Sequence, residues 1–131
     1  MVQQQETAQK DAWVQSEALL GAARFVTQGV DANNVRHILA RINRNAEWLR
    51  EWSATAAMHE ELAREAEKRG YTVSAGEAYI RAALCYHFGK MRWIAVLEKE
   101  ADYHQAHARS IDTFRTGLQY LDPTAERVDI P

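Results

Sequence analysis

The residues with chemistry to offer cluster in the middle and the last third of the chain. His104 and His107 lie three apart, and Glu100 stands four before His104, so on one helix three metal-capable groups would share a face. A zinc site needs a third or fourth well-placed ligand, and only His87 is an arguable addition. The expectation is therefore no metal and no cofactor. His59 opens the segment HEELA, which is not the zinc-protease H-E-x-x-H because Ala63 stands where the second histidine belongs. Glu60 and Glu61 point apart on a helix and cannot serve as a glycosidase carboxylate pair. Cys85 is the single cysteine, which excludes an intrachain disulfide, and its neighbours Ala82, Leu84 and Tyr86 favour a buried thiol over a nucleophile.

Tyr86 and His87, beside Phe88 and Lys90, are the best candidates for a substrate pocket, since their polar tips on an apolar helix suit a polar aromatic ligand. Hydrogen bonds to neighbouring helices are the ordinary alternative. Trp48 and Trp52 lie one turn apart and are pocket candidates as an aromatic wall, with core packing as the competing role. No catalytic residue is expected.

These residues are placed by helices. Ser74 and Glu77 have capping-box spacing and predict the start of a central helix near residues 75–94. Its apolar residues, from Ala78 to Phe88, occupy all sides of the turn, so neighbours must surround it. Before it, Trp13, Leu20, Ala23 and Phe25 with Val26 predict a helix from about Thr7 to Thr27, ended by Gly29. Asp31 as N-cap and the stripe Val35, Ile38, Leu39, Ile42 predict a second helix. Asn43 and Asn45 suggest a break, after which Trp48, Trp52, Thr55, His59, Leu62 and Ala66 mark a third helix running to Gly70. Its solvated face would carry Arg50, Glu60, Glu61, Arg64, Glu67 and Lys68. The central helix is expected to end between Trp93 and Glu98, with Trp93 a candidate interface residue. A last helix follows from about Lys99 to Leu121, with Ala101, His104, Ala108, Ile111, Leu118 and Leu121 on its apolar side and Phe114 beside them. Asp122-Pro123 stops it. The fold class is all-α, about five helices in a domain over 1–122, followed by an extended segment over 123–131 whose alternation resembles a strand.

The 131 residues fit one domain. A net charge of −2 offers no basic field for nucleic acid, and no apolar run approaches a membrane span. The polar start MVQQQETAQKD lacks the blocks of a secretory signal, so the default setting is cytoplasmic.

Arg24-Phe25, Gly29-Val30-Asp31, Val35 to Ile42, Trp48 to Ser53, His59 with Leu62 and Ala63, the run SAGEAYIRAALCYHFGK and the closing LDPTAERVDIP form an ordered set. Together they resemble the N-terminal helical lid domain of bacterial α/β-hydrolases similar to 2,6-dihydroxypseudooxynicotine hydrolase. The resemblance implies a downstream catalytic domain that begins with a strand just after the LDP segment. That domain would carry a nucleophilic serine on a G-x-S-x-G elbow, an acid and a histidine, and would hydrolyse a carbon–carbon bond in a ketone or diketone, or an ester. No G-x-S-x-G occurs here, and Ser16, Ser53, Ser74 and Ser110 all fall on or at the start of predicted helices. The chain's implied role is to shape the pocket for a small aromatic or acyl substrate. The alternative is a stand-alone interaction module, loosely tetratricopeptide-like in RAALCYHFGK and FRTGLQYLDP but without the 34-residue period. A homodimerisation domain is a third reading.

Overall fold

Two glycines in the left-handed region, Gly29 at φ 105° and Gly70 at φ 74°, divide the chain into its helical stretches. At each, the same pair of bonds closes the helix before it: Val30 N–H to Phe25 O and Gly29 N–H to Val26 O, then Tyr71 N–H to Ala66 O and Gly70 N–H to Glu67 O. Only a residue without a Cβ adopts this turn at no steric cost. The computed structural model describes residues 9–91 and 100–131. The expected start near Thr7, the end of the central helix, Trp93 and the start of the last helix at Lys99 lie outside the described residues.

The described chain is all-helical, without a strand: α1 (Ala12–Ser16), a π-helical turn (Glu17–Gly21), α2 (Ala22–Thr27), α3 (Ala32–Arg41), a 3₁₀ turn (Asn45–Glu47), α4 (Trp48–Lys68), α5 (Thr72–Gly89) and α6 (Ala101–Leu121). No helix among the described residues is long and apolar enough to cross a membrane. Segments α1 and α2 run on through the π turn, whose extra residue resets the helical register. Val14, Gly21 and Phe25 therefore face inward. Leu19 and Leu20 are 82% and 80% exposed, and Ala23 and Val26 are exposed too, which corrects the expected buried stripe.

Asp31 caps α3 as its sequence predicts, accepting from the N–H groups of Asn33 and Asn34 at 2.9 and 3.1 Å. Val35, Ile38, Leu39 and Ile42 are all buried. At the other end of α3 the Lys10 ammonium donates to the Leu39 carbonyl at 2.9 Å and to that of Ile42, a cation where unpaired carbonyls converge. The expected break follows: Asp11 ties it down by accepting from Asn45 N–H at 2.7 Å, while the Glu47 carboxylate receives Asn43 and Arg44 N–H.

Helix α5 is central, with α4 on one flank and α6 on the other, both antiparallel to it. The order of contacts shows this: Gly89 meets Trp52 and Tyr79 meets Glu67, whereas Gly76 meets Leu121 and Lys90 meets His107. The capping box does not form. Helix geometry resumes at Thr72, straight out of the Gly70 turn, so Ser74 lies inside the helix and Glu77 instead sits 3.9 Å from Arg81 one turn on. Aromatic side chains fill the core where α2, α4 and α5 meet: Phe25, Trp48, Trp52 and Phe88 pack ring to ring with Trp13 against them.

On α4, Leu62 is exposed and Glu60 is buried, the reverse of the expected faces. The same inversion occurs on α6. The face turned to α5 carries Ala106, Ser110, Thr113 and Gly117, while Ile111, Phe114 and Leu121 are 40 to 50% exposed and Ala101, His104 and Ala108 lie outside. Small residues allow close approach: a Cβ on Gly117 would lie 2.9 Å from the Gly76 carbonyl oxygen and 3.0 Å from Ile80. We expect Gly117→Ala to lower stability by about 1 kcal/mol, because overpacking against fixed backbone costs about 1–3 kcal/mol and the helix-propensity gain returns only about 1. A thermal midpoint lowered by about 3–5 °C is the measurement; an unchanged or raised midpoint contradicts the close approach.

After Leu121 the chain leaves the helix as Asp122-Pro123 predicts. The Asp122 carboxylate accepts from Thr124 N–H at 3.2 Å and Oγ–H at 2.6 Å. Beyond it the segment is irregular, with Val128 and Ile130 exposed at 74% and 89%.

Candidate functional site

The outward turn of α6 builds a groove. Its floor is Ile111, Phe114 and Leu118, one wall is the end of α5 with His87 and Lys90, and the far edge is residues 125–127 of the C-terminal segment; the volume is about 560 Å³. This is the size of a small-molecule site, with an apolar floor and a few polar groups at the rim. On α5, Lys90 Nζ donates to His107 Nδ1 across the gap to α6 at 2.8 Å. Partial burial holds the Lys90 ammonium below its ordinary pKa. His87 is open on one side, yet desolvation by the surrounding chain, and then the Lys90 charge, hold its imidazole below 6.5. Ser110 Oγ donates to the His107 carbonyl at 2.7 Å, so its proton is held by backbone and not by an imidazole.

The four pocket candidates separate. His87 borders the groove. Tyr86, next in sequence, turns inward to a polar junction of α4, α5 and α6, where the Glu60 carboxylate receives Arg109 Nε at 3.1 Å and Nη2, and Arg64 Nη1 at 3.2 Å. Burial, then the hydrogen bond to Glu60, push the Tyr86 hydroxyl pKa up. Trp48 and Trp52 have no exposed surface and belong to the aromatic core, with Trp48 Nε1 donating to the Phe88 carbonyl at 2.9 Å. A second junction lies at the far end of the bundle, where Glu67 accepts from both Tyr79 and Tyr120 hydroxyls at 2.8 Å and the rings stack 6.5 Å apart. Burial, reinforced by that bond, pushes Tyr79 up to about 12.

The groove floor was legible only as three apolar residues destined for a core, and the Glu60 junction only as surface charge. Among the described residues no group of three histidine, cysteine, aspartate or glutamate side chains is placed to hold a metal ion. His107 is engaged by Lys90, and Cys85 is buried, its thiol pushed up to about 12 by desolvation.

His59 gives the fold a pH dependence. It is buried, with Nε2 2.7 Å from Asn34 Nδ2 and no partner for Nδ1 among the described residues. Burial, and then the Arg81 charge, depress its pKa from 6.5, opposed by Asp31. The unfolded chain therefore binds the proton more readily, so stability is complete above pH 6.5 and falls as pH drops from there toward the lower folded-state value. His87 acts in the same direction. Urea midpoints should be lower at about pH 5.5 than at about pH 7.5, and His59→Gln should shrink that difference; an undiminished difference in the variant would assign the effect elsewhere.

No protein-family model, curated protein or solved structure matches the chain.

Proposed function

We propose that the chain is a non-catalytic helical cap, which presents the α6 groove as one wall of a substrate cavity and takes its opposite wall from a serine α/β-hydrolase domain of the kind the sequence resembles. The observation that carries this reading is where the groove lies. Its edge is residues 125–127, so a domain joined through that segment would meet the apolar floor at once. In that arrangement Ile111, Phe114 and Leu118 exclude water and orient the substrate, which strengthens electrostatic interactions at the reacting carbonyl. The catalytic serine attacks that carbonyl, one fragment leaves, and water releases the other from the acyl-enzyme. The cap contributes selectivity, and the chemistry stays with the partner domain.

The test is the reading frame beyond Pro131. Continuation into a strand-turn-helix pattern with G-x-S-x-G, in a product that cleaves aryl ketones or esters and changes its substrate preference on Phe114→Ala, supports the cap. A stop codon after Pro131 with a soluble monomeric product defeats it and favours the stand-alone interaction module, whereas a stable dimer that dissociates on Phe114→Ser favours the dimerisation reading.

A further inference from the structure

The groove has a charge character that the cap reading does not require. Its lining holds three cationic side chains, Lys90, Arg115 and Arg127, against one carboxylate, Glu126, in a chain whose net charge is −2. Several cations of the bundle sit on carboxylates, among them Arg24 on Glu17, Arg41 on Glu51, and Arg64 and Arg109 on Glu60, whereas Lys10 and Arg36 bond carbonyl oxygens. Lys90 and Arg115 make no ion pair among the described residues, and Lys90 Nζ bonds His107 Nδ1 instead. Among the described residues Arg127 pairs with Asp129 alone, both largely exposed, an arrangement worth little in water and free to reorient.

We propose that the α6 groove binds a small amphipathic carboxylate, its apolar body laid along Ile111, Phe114 and Leu118 and its anionic head received by Lys90 and Arg115. Two features select this class. The floor offers apolar area that a hydrocarbon or aryl body covers, with the transfer free energy that such burial brings. At Lys90 and Arg115 the rim offers cationic donors with no carboxylate partner among the described residues, and a carboxylate makes charge-assisted bonds to them that an alcohol makes more weakly and an amine cannot make. A guanidinium at Arg115 adds a planar fork suited to both carboxylate oxygens. The inference rests on the groove being a ligand wall, and it holds whether or not a hydrolase domain supplies the other side.

The experiment titrates the full 131-residue chain with three ligands sharing one body, 4-phenylbutyrate, 4-phenylbutan-1-ol and 4-phenylbutylamine, following methyl signals of Ile111 and Leu118 by NMR. The carboxylate should bind about tenfold more tightly than the alcohol, with the amine weakest. Arg115→Gln, an exposed substitution that leaves the core intact, should remove most of that preference by weakening the carboxylate far more than the alcohol, and Phe114→Ser should weaken all three. Equal affinities, no saturable shift with the carboxylate, or an Arg115→Gln variant that binds it as well as the parent each overturn the proposal. A stop codon after Pro131 would remove the cap reading without touching this result, so the two fail separately.

Discussion

Trp48→Ala should lower the unfolding free energy by about 3–5 kcal/mol, the range for emptying a buried aromatic site and a large fraction of the roughly 5–15 kcal/mol that holds a domain folded. Trp48 has no exposed surface. Its ring lies 4.6 Å from Trp13 edge-on, 6.1 Å from Phe25 and 5.7 Å from Trp52, and its N–H ends on the Phe88 carbonyl. It therefore ties α1, α2, α4 and α5 together, and a cavity there faces three rigid helices that cannot collapse into it. Trp52→Phe is the control. It keeps an aromatic ring among Phe25, Trp48 and Phe88 and deletes an indole N–H that has no acceptor among the described residues. Losing the smaller volume while removing an unsatisfied donor should cost under about 1.5 kcal/mol. Urea unfolding followed by circular dichroism measures both; equal losses would mean that the cluster is a uniform apolar filling and not a set of specific contacts.

The helices that the sequence predicts correctly are those whose signals are local. Asp31 caps α3 with bonds to residues two and three positions on, and the α3 stripe is buried as its spacing predicts. Gly29 and Gly70 end their helices by bonds within six residues. The misassigned residues depend on partners far along the chain. Glu60 looks like surface charge until Arg109, 49 residues later, is brought beside it. Ile111 and Phe114 look like core until Gly76 and Gly117 let α5 and α6 approach through their small faces. An apolar stripe shows that a face can be buried, whereas shape complementarity between two helices decides which face is buried. Ser74 and Glu77 failed for a related reason: the Gly70 turn had already set the helix going at Thr72.

The same non-local logic makes the site. Had α6 buried its aliphatic side, there would be no groove, and Lys90 and Arg115 would flank a polar helix face. Choosing Ala106, Ser110, Thr113 and Gly117 for the α5 contact turns Ile111, Phe114 and Leu118 toward the segment after Pro123. His87 reaches the groove because it follows Tyr86 on a helix packed on two flanks, so adjacent residues serve different surfaces. Tyr86 and His87 share one sequence signal, a polar tip on an apolar helix, and of the two His87 borders the groove.

The Glu60 junction adds a polar tie to the small-residue contact that seats α6 on α5, and Glu60→Ala should cost about 2–3 kcal/mol. Removing one partner of a fully buried pair costs about 3–5 kcal/mol. Here the Glu60 side chain is 4% exposed, but those of Arg64 and Arg109 are 46% and 44% exposed, so both guanidiniums can turn to water and the loss is smaller. The Tyr86 hydroxyl is buried and loses its acceptor outright, while the Arg109 guanidinium, 6.0 Å from the Tyr86 ring centre, loses the anion that aims it. Arg109→Met should cost less alone, and the double variant should be more stable than the sum of the two losses predicts by at least about 1 kcal/mol, because neither change then strands a charge. Strict additivity would sink the idea of a shared junction. Arg109 immediately precedes Ser110 and Ile111, so loosening it also lets the groove floor drift. Glu60→Ala should therefore weaken 4-phenylbutyrate binding several-fold, although Glu60 is not among the groove's lining residues.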